Sequence, residues 1–367
     1  MRAYLLIMLA AAAVTFVGTY LVLKLAHKYK IYPQIRSRDV HTKPTPRLGG
    51  VAMFFGFAAA VLVAGSLGWF ESVFAEPVHI LAILAAAFLI TVIGFLDDLY
   101  DLDWSLKLAG QFVVAGILAW QGVQIVSLPV AGLTIGSFGI SFVVTVFLTV
   151  LVMNAVNFID GLDGLVAGVV LIGTVVFFAY SYLLAKQTSP TNYFNLASLI
   201  SAIVIGMCVG FLPYNWHRAK IFMGDTGAML LGLLMATSAL TVTGQIDPTL
   251  VSRGEIVPAF IPLVLPLAIL VLPLLDFSWA VLRRLRAGKS PFSADRLHLH
   301  HRLQDFGHSH LGAVVVFYVW TAVISGSCLL FFFLPVWNVV GIFSIGVLIA
   351  LIYTVRPVIK RKLSVRG

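Results

Sequence analysis

Six aspartates set the chemistry open to this chain. Asp97, Asp98, Asp101, Asp160, Asp163 and Asp225 each fall at the end of a long apolar run. A carboxylate beside lipid is costly and is normally retained for function. With Asp103, the first group places four carboxylates within seven residues. Such a group repels itself unless cations sit among it, and a divalent metal or a lysine is the usual compensation. Lys107 follows one helical turn later. Its ammonium, a mobile point charge, suits a phosphate.

Two further segments carry the same signature. In Asn154-Ala-Val-Asn-Phe-Ile-Asp-Gly-Leu-Asp-Gly164, Asn154 and Asn157 are three apart and share a helix face. Amide oxygens and carboxylates such as Asp160 and Asp163 are hard ligands suited to Mg²⁺. In Phe222-Met-Gly-Asp-Thr-Gly227 an acid lies between glycines just before a predicted helix. Backbone donors at a helix start bind anions while the carboxylate is left for a metal. Phe222 is placed either to stack on a base or simply to pack.

Basic residues complete the set. Arg38, His41, Lys43 and Arg47 surround two prolines ahead of Gly49-Gly50, which reads either as an anion-handling loop or as a membrane anchor. Arg296, His298, His300 and His301 lie in a second basic loop. Three histidines in four residues suggest zinc, but the spacing is not a familiar finger pattern and no cysteine is near. Contact with a diphosphate or sugar fits the basic surroundings better.

These residues need a membrane scaffold. Hydrophobic residues make up 60% of the chain and charged residues 11%, with a mean hydropathy of +1.02, which excludes a soluble domain of this length. Apolar runs predict eleven spans, at 3–24, 48–68, 79–96, 105–121, 140–157, 163–184, 194–213, 226–243, 255–282, 312–333 and 337–356. The first is too long for a signal peptide and has no clear cleavage site, so it counts as a span. With the N-terminus outside and the C-terminus cytoplasmic, 21 of the 24 Lys and Arg fall inside, leaving Arg2, Lys186 and Arg253. All six aspartates then lie on the cytoplasmic face. The net charge of +9 is a topology and anionic-lipid signal, and no nucleic-acid motif accompanies it.

The expected fold is therefore an all-α integral membrane protein, one polytopic domain over 1–367, with its active site at the cytoplasmic surface. Segment 122–139 predicts an external β-hairpin. Pro258, Pro262, Pro266 and Pro273 predict a bent or broken ninth helix. Cys208 and Cys328 read as buried apolar side chains, with no disulfide.

Metal-neutralised phosphoryl transfer onto a lipid is the natural chemistry of this set. Asp97-Asp98, Asn154 to Gly164, Phe222 to Gly227 and His298-Leu-His-His301, in that order on inside loops, strongly resemble the polyprenyl-phosphate N-acetylhexosamine-1-phosphate transferases. Within that family the histidine loop and eleven spans look most like the bacterial undecaprenyl-phosphate GlcNAc-1-phosphate transferases, which initiate wall teichoic acid or O-antigen synthesis in the cell membrane. The phospho-MurNAc-pentapeptide transferases look less similar. The resemblance implies that UDP-GlcNAc and undecaprenyl phosphate give undecaprenyl-diphospho-GlcNAc and UMP.

It also implies roles. Asn157 and Asp225 would hold Mg²⁺, with Mn²⁺ possible at the same hard ligands. Lys107 would bind the phosphates, and Asp97 and Asp98 would orient or deprotonate the lipid phosphate. Asp163 and Phe222 would face the uracil, with Asn154 and Asp160 completing the substrate-binding set. Arg296, His298, His300 and His301 would contact the sugar phosphate. Some relatives are homodimers, but no interface motif is visible here. Asp97 to Asp101 also has the DDxxD spacing of membrane prenyltransferases, although the second acid-rich motif those enzymes need is only partly matched. A transporter would carry its acids near the midplane rather than at one edge.

Overall fold

The computed structural model describes residues 1–32, 45–125, 137–188, 194–243, 268, 271–288 and 299–364. These residues form helices and no strands. The order is α1 (Arg2–Tyr29), α2 (Gly49–Gly65), a 3-10 turn (Gly68–Phe70), α3 (Glu71–Phe74), α4 (Pro77–Tyr100), α5 (Trp104–Trp120) and α6 (Phe138–Phe158). After these come α7 (Leu165–Thr188), α8 (Leu196–Asn215), α9 (Gly224–Thr243), α10 (Val271–Arg286), α11 (Leu299–Asp305), α12 (His310–Leu330) and α13 (Val336–Ser364).

Hydrocarbon offers no partner to a free backbone N–H or C=O, so an apolar run must satisfy itself as a helix. Eight helices among the described residues are long and apolar enough to cross a membrane: α1, α4, α6, α7, α8, α9, α12 and α13. The second expected span corresponds to α2, a 17-residue helix that ends at Gly65, after which the 3-10 turn and α3 bend away by 91°. The fourth is a 17-residue helix, α5. At 1.5 Å per residue it is about 26 Å long, short of the ~30 Å hydrocarbon core. The proline-rich half of the ninth span and the body of the external hairpin lie outside the described residues.

α8 and α9 are the most enclosed helices, while α13 is the most exposed. α1 packs on α8 and α2, α7 on α8 and α12, and α4 and α6 on α9. The α1–α8 contact depends on small residues. A Cβ at Gly206 would strike Met8 O, and one at Gly210 would strike Ala12 O. Glycines four apart let two backbones meet where apolar attraction between helices is weak. Hydroxyls inside the bundle bond back to their own helix: Thr91 to Ala87 O at 2.6 Å, Ser201 to Ala197 O at 2.7 Å and Thr237 to Leu233 O at 2.8 Å. Cys208 is buried, Cys328 is half-buried, and neither is bridged.

Candidate active site

The C-terminal ends of α4, α6 and α8 and the N-terminal ends of α2, α5, α7 and α9 meet at one end of the bundle. Three backbone hydrogen bonds lock the entry to α2 against the entry to α9: Phe222 N to Pro46 O at 2.8 Å, Gly49 N to Phe222 O at 2.9 Å and Gly50 N to Met223 O at 3.0 Å. Buried Asn215 clamps a third element. Its Oδ1 accepts from Gly164 N at 3.1 Å and its Nδ2 donates to Ile221 O at 3.0 Å. Tyr318 on α12 donates to Gly164 O at 2.5 Å, so the Asp160–Gly164 turn is held from two sides.

Lys107 stands at the centre of the polar set. Its Nζ is paired with Asp225, lies 3.2 Å from Asp97 Oδ2 and is 3.5 Å from Asn157 Oδ1. Asn157 Nδ2 donates to Asp225 Oδ1 at 2.9 Å. Four helices, α4, α5, α6 and α9, thus each contribute one group to a single point. Two carboxylates face one ammonium, leaving a net charge of −1 there. All the acceptors are oxygens, and a cation already sits among them as the ammonium. The donor set therefore fits a hard divalent ion.

Asp98, the neighbour of Asp97, faces elsewhere. Its Oδ1 accepts from Asp225 N at 3.0 Å, and its Oδ2 accepts from Thr226 N at 3.0 Å and Thr226 Oγ1 at 2.6 Å. It closes the start of α9, whose free N–H groups and dipole favour an anion. Asp103 caps α5 by accepting from Ser105 N at 2.9 Å. The Ser105 hydroxyl and amide together hold its carboxyl below the ordinary range.

Asp163 is almost fully enclosed, its side chain 1% exposed. Its Oδ2 accepts from Ala219 N at 3.1 Å and lies 3.5 Å from His217 Nδ1 and 3.8 Å from His310 Nε2. His310 Nε2 also accepts from Asp163 N at 3.1 Å. Half-buried Asp160 lies between α6 and α7. Burial, then the charge of Asp98, pushes its carboxyl up to about 7 against the pull of Arg47. Phe222 is half-buried at the locked strip.

Asn154 lies one turn deeper. Its Nδ2 donates to Gln111 Oε1 at 2.6 Å and to Val150 O at 2.8 Å, so its amide satisfies a buried glutamine between α5 and α6. Arg296 and His298 lie outside the described residues. His300 and His301 lie on α11, with their side chains outside the described set. The helix bearing them is tied to α10 where Leu299 N donates to buried Asp276 at 2.8 Å. Arg284 of α10 stacks over Phe158 at 5.6 Å, which brings a basic turn to the end of α6. Asn215, His217, Thr226, His310 and Tyr318 were not singled out by sequence. Thr226 stands inside the quoted Phe222–Gly227 segment and Asn215 and His217 lie a few residues ahead of it, whereas His310 and Tyr318 carry no local signal.

Residues 80–243 match the model of glycosyl transferase family 4. The chain is 38% identical, over 98% of its length and 90% of the relative, to the decaprenyl-phosphate N-acetylglucosaminephosphotransferase of Mycolicibacterium smegmatis. It is 35% identical, over 90% of its length and 85% of the relative, to the probable undecaprenyl-phosphate N-acetylglucosaminyl 1-phosphate transferase of Bacillus subtilis. A phospho-N-acetylmuramoyl-pentapeptide-transferase of Halalkalibacterium halodurans is 30% identical over 92% of the chain and 98% of the relative. The chain belongs to this family of polyprenyl-phosphate N-acetylhexosamine-1-phosphate transferases. It is a multi-pass membrane protein. The stretch matched by the family model holds Asp97, Asp98, Lys107, Asn157, Asp163 and Asp225, while Arg47, whose charge acts on Asp160, and His310, which contacts Asp163, lie outside it.

Proposed function

We propose that this transferase moves GlcNAc-1-phosphate from UDP-GlcNAc to undecaprenyl phosphate, giving undecaprenyl-diphospho-GlcNAc and UMP. This would be the first membrane step of a cell-envelope glycopolymer. The observation that carries the reading is the convergence of Lys107, Asp97, Asn157 and Asp225 from four helices. Positioning and charge neutralisation are most of what phosphoryl transfer requires.

A lipid phosphate oxygen attacks the β-phosphorus of the donor, and the bond from that phosphorus to the α-phosphate oxygen breaks to release UMP. Asn157 and Asp225 would hold Mg²⁺ or Mn²⁺, which would supply charge neutralisation on the diphosphate. Lys107 adds a second positive charge beside it. Asp97 orients the acceptor. A phosphate monoester has a second pKa of about 6, so the acceptor is largely dianionic at neutral pH and direct displacement needs little base. Asp163 and Phe222 are assigned to the uracil, Asn154 and Asp160 to the walls of the substrate site. Arg296, His298, His300 and His301 are assigned to the sugar phosphate. Eleven spans, with the N-terminus outside, put this face in the cytoplasm, where nucleotide sugars are found.

The muramoyl-pentapeptide donor is the second reading. The relatives so named are 30–32% identical, against 35–38% for the GlcNAc enzymes of Bacillus and the mycobacteria. The test is UMP release by the purified protein in detergent, with a panel of UDP-sugars and with undecaprenyl or decaprenyl phosphate. UMP formed with UDP-GlcNAc, only when lipid and metal are both present, is expected. Release with UDP-MurNAc-pentapeptide alone would replace the donor. No release with any donor would remove the reading.

A further inference from the structure

We infer that Asp98 and Thr226 are a positioning pair that sets Asp225 for its cation, and that Asp98 does not itself meet the lipid phosphate. The inference rests on the proposed metal role of Asp225. Both oxygens of Asp98 are committed to α9. Oδ1 accepts from the backbone N–H of Asp225 itself, and Oδ2 accepts from both the N–H and the hydroxyl of Thr226. Thr226 is fully buried, so its hydroxyl is aimed at Asp98 and at no solvent.

The surrounding backbone is shaped for this contact. Gly94, one turn before Asp98 on α4, lies so close that a Cβ there would be 2.5 Å from Thr226 Cα. Gly224 has φ +69°, a left-handed conformation that glycine adopts without strain, and a Cβ on it would strike Asp98 Oδ2. Asp98 thus fixes the peptide N–H of the residue whose carboxylate turns the other way, towards Lys107 and Asn157. Such an outer carboxylate orients a ligand without touching the ion, and losing one commonly costs 10–100-fold in metal affinity.

The test uses the full-length protein in detergent and Mn²⁺ as the probe. The free ion is followed by electron paramagnetic resonance, and UMP release is measured against Mn²⁺ concentration. Thr226→Val removes one donor to Asp98 and should weaken Mn²⁺ binding about tenfold. Thr226→Ser keeps the hydroxyl and should bind as the parent does. Asp98→Asn aims an NH2 at a backbone N–H and should lose on the order of a hundredfold. In the first and third variants the half-saturating Mn²⁺ for turnover should rise in step. A variant that merely folds poorly would lower the rate and leave half-saturation unmoved. Parent-like Mn²⁺ affinity in Thr226→Val and Asp98→Asn, with binding lost in Asp225→Asn, would overturn this inference and leave the metal reading standing. Equal losses in Thr226→Ser and Thr226→Val would remove the hydroxyl from the pair. Parent-like binding in Asp225→Asn would overturn the metal reading itself.

Discussion

At the residue scale, adjacent acids do different work because a helix turns about 100° per residue. Asp97 points at Lys107 and Asp98 at the start of α9. Sequence showed the pair and its place at the end of an apolar run, but not the divergence, which depends on what packs on each side of α4. Lys107 is the sharper case. Its ammonium occupies the point between Asp97, Asn157 and Asp225 that a divalent ion would take. Lys107→Ala should therefore bind Mn²⁺ more tightly, about tenfold, since a competing charge is gone. Turnover should nonetheless fall on the order of a hundredfold or more, because a preorganised charge on the reacting phosphates is lost. Weaker Mn²⁺ binding in that variant would mean that the ammonium helps to build the cation position rather than fill it.

Asp160 makes a second argument at this scale. Burial and the nearby charge of Asp98 raise its carboxyl from 3.8 to about 7. The folded protein thus holds that proton more tightly than the unfolded chain. Its contribution to stability is complete below about pH 3.8, shrinks as pH rises, and is gone once pH has passed about 7. Between pH 5 and pH 8 the melting temperature in detergent should fall, and Asp160→Asn should flatten part of that slope. An identical slope in the variant would show that other groups carry the dependence.

At the scale of elements, the helices were legible because hydrocarbon enforces them. Each of the eight long helices overlies an expected span, with boundaries within four residues except that α1 and α13 run five and eight residues past the expected ends. The bend after Gly65 was not legible, since hydropathy runs on across a turn that packing creates, whereas the 17-residue length of α5 is that of its expected span. The Gly206–Gly210 contact is another feature that only the neighbour reveals. Replacing Gly210 with Leu should push α1 away from α8 and cost about 1–3 kcal/mol. A lower melting temperature in detergent is the expected readout, with the half-saturating Mn²⁺ unchanged because the site lies on other helix contacts. An unshifted melting temperature would mean that α1 can slide without penalty.

At the scale of the whole molecule, the chain is two-sided. Most polar contacts of the candidate site join helix ends that alternate along the sequence: α4 ends where α5 begins, and likewise for α6 and α7, and α8 and α9. Alternation of this kind follows from successive crossings, so it fixes which ends share a side but not which side is cytoplasmic. Charge is the sequence's argument for that second fact. On the expected eleven-span topology the connections on the side of the site carry 21 of the 24 Lys and Arg, the bias expected of a cytoplasmic face. The consequence can be read in intact cells with a membrane-impermeant thiol reagent, in a background with Cys208 and Cys328 replaced by Ala. Trp69→Cys, in the exposed turn after α2, should be labelled in intact cells. Lys28→Cys, exposed at the end of α1, should be labelled only after the membrane is opened. The reverse pattern would put the transferase site outside, away from any nucleotide-sugar pool, and would count against the donor as well as the topology.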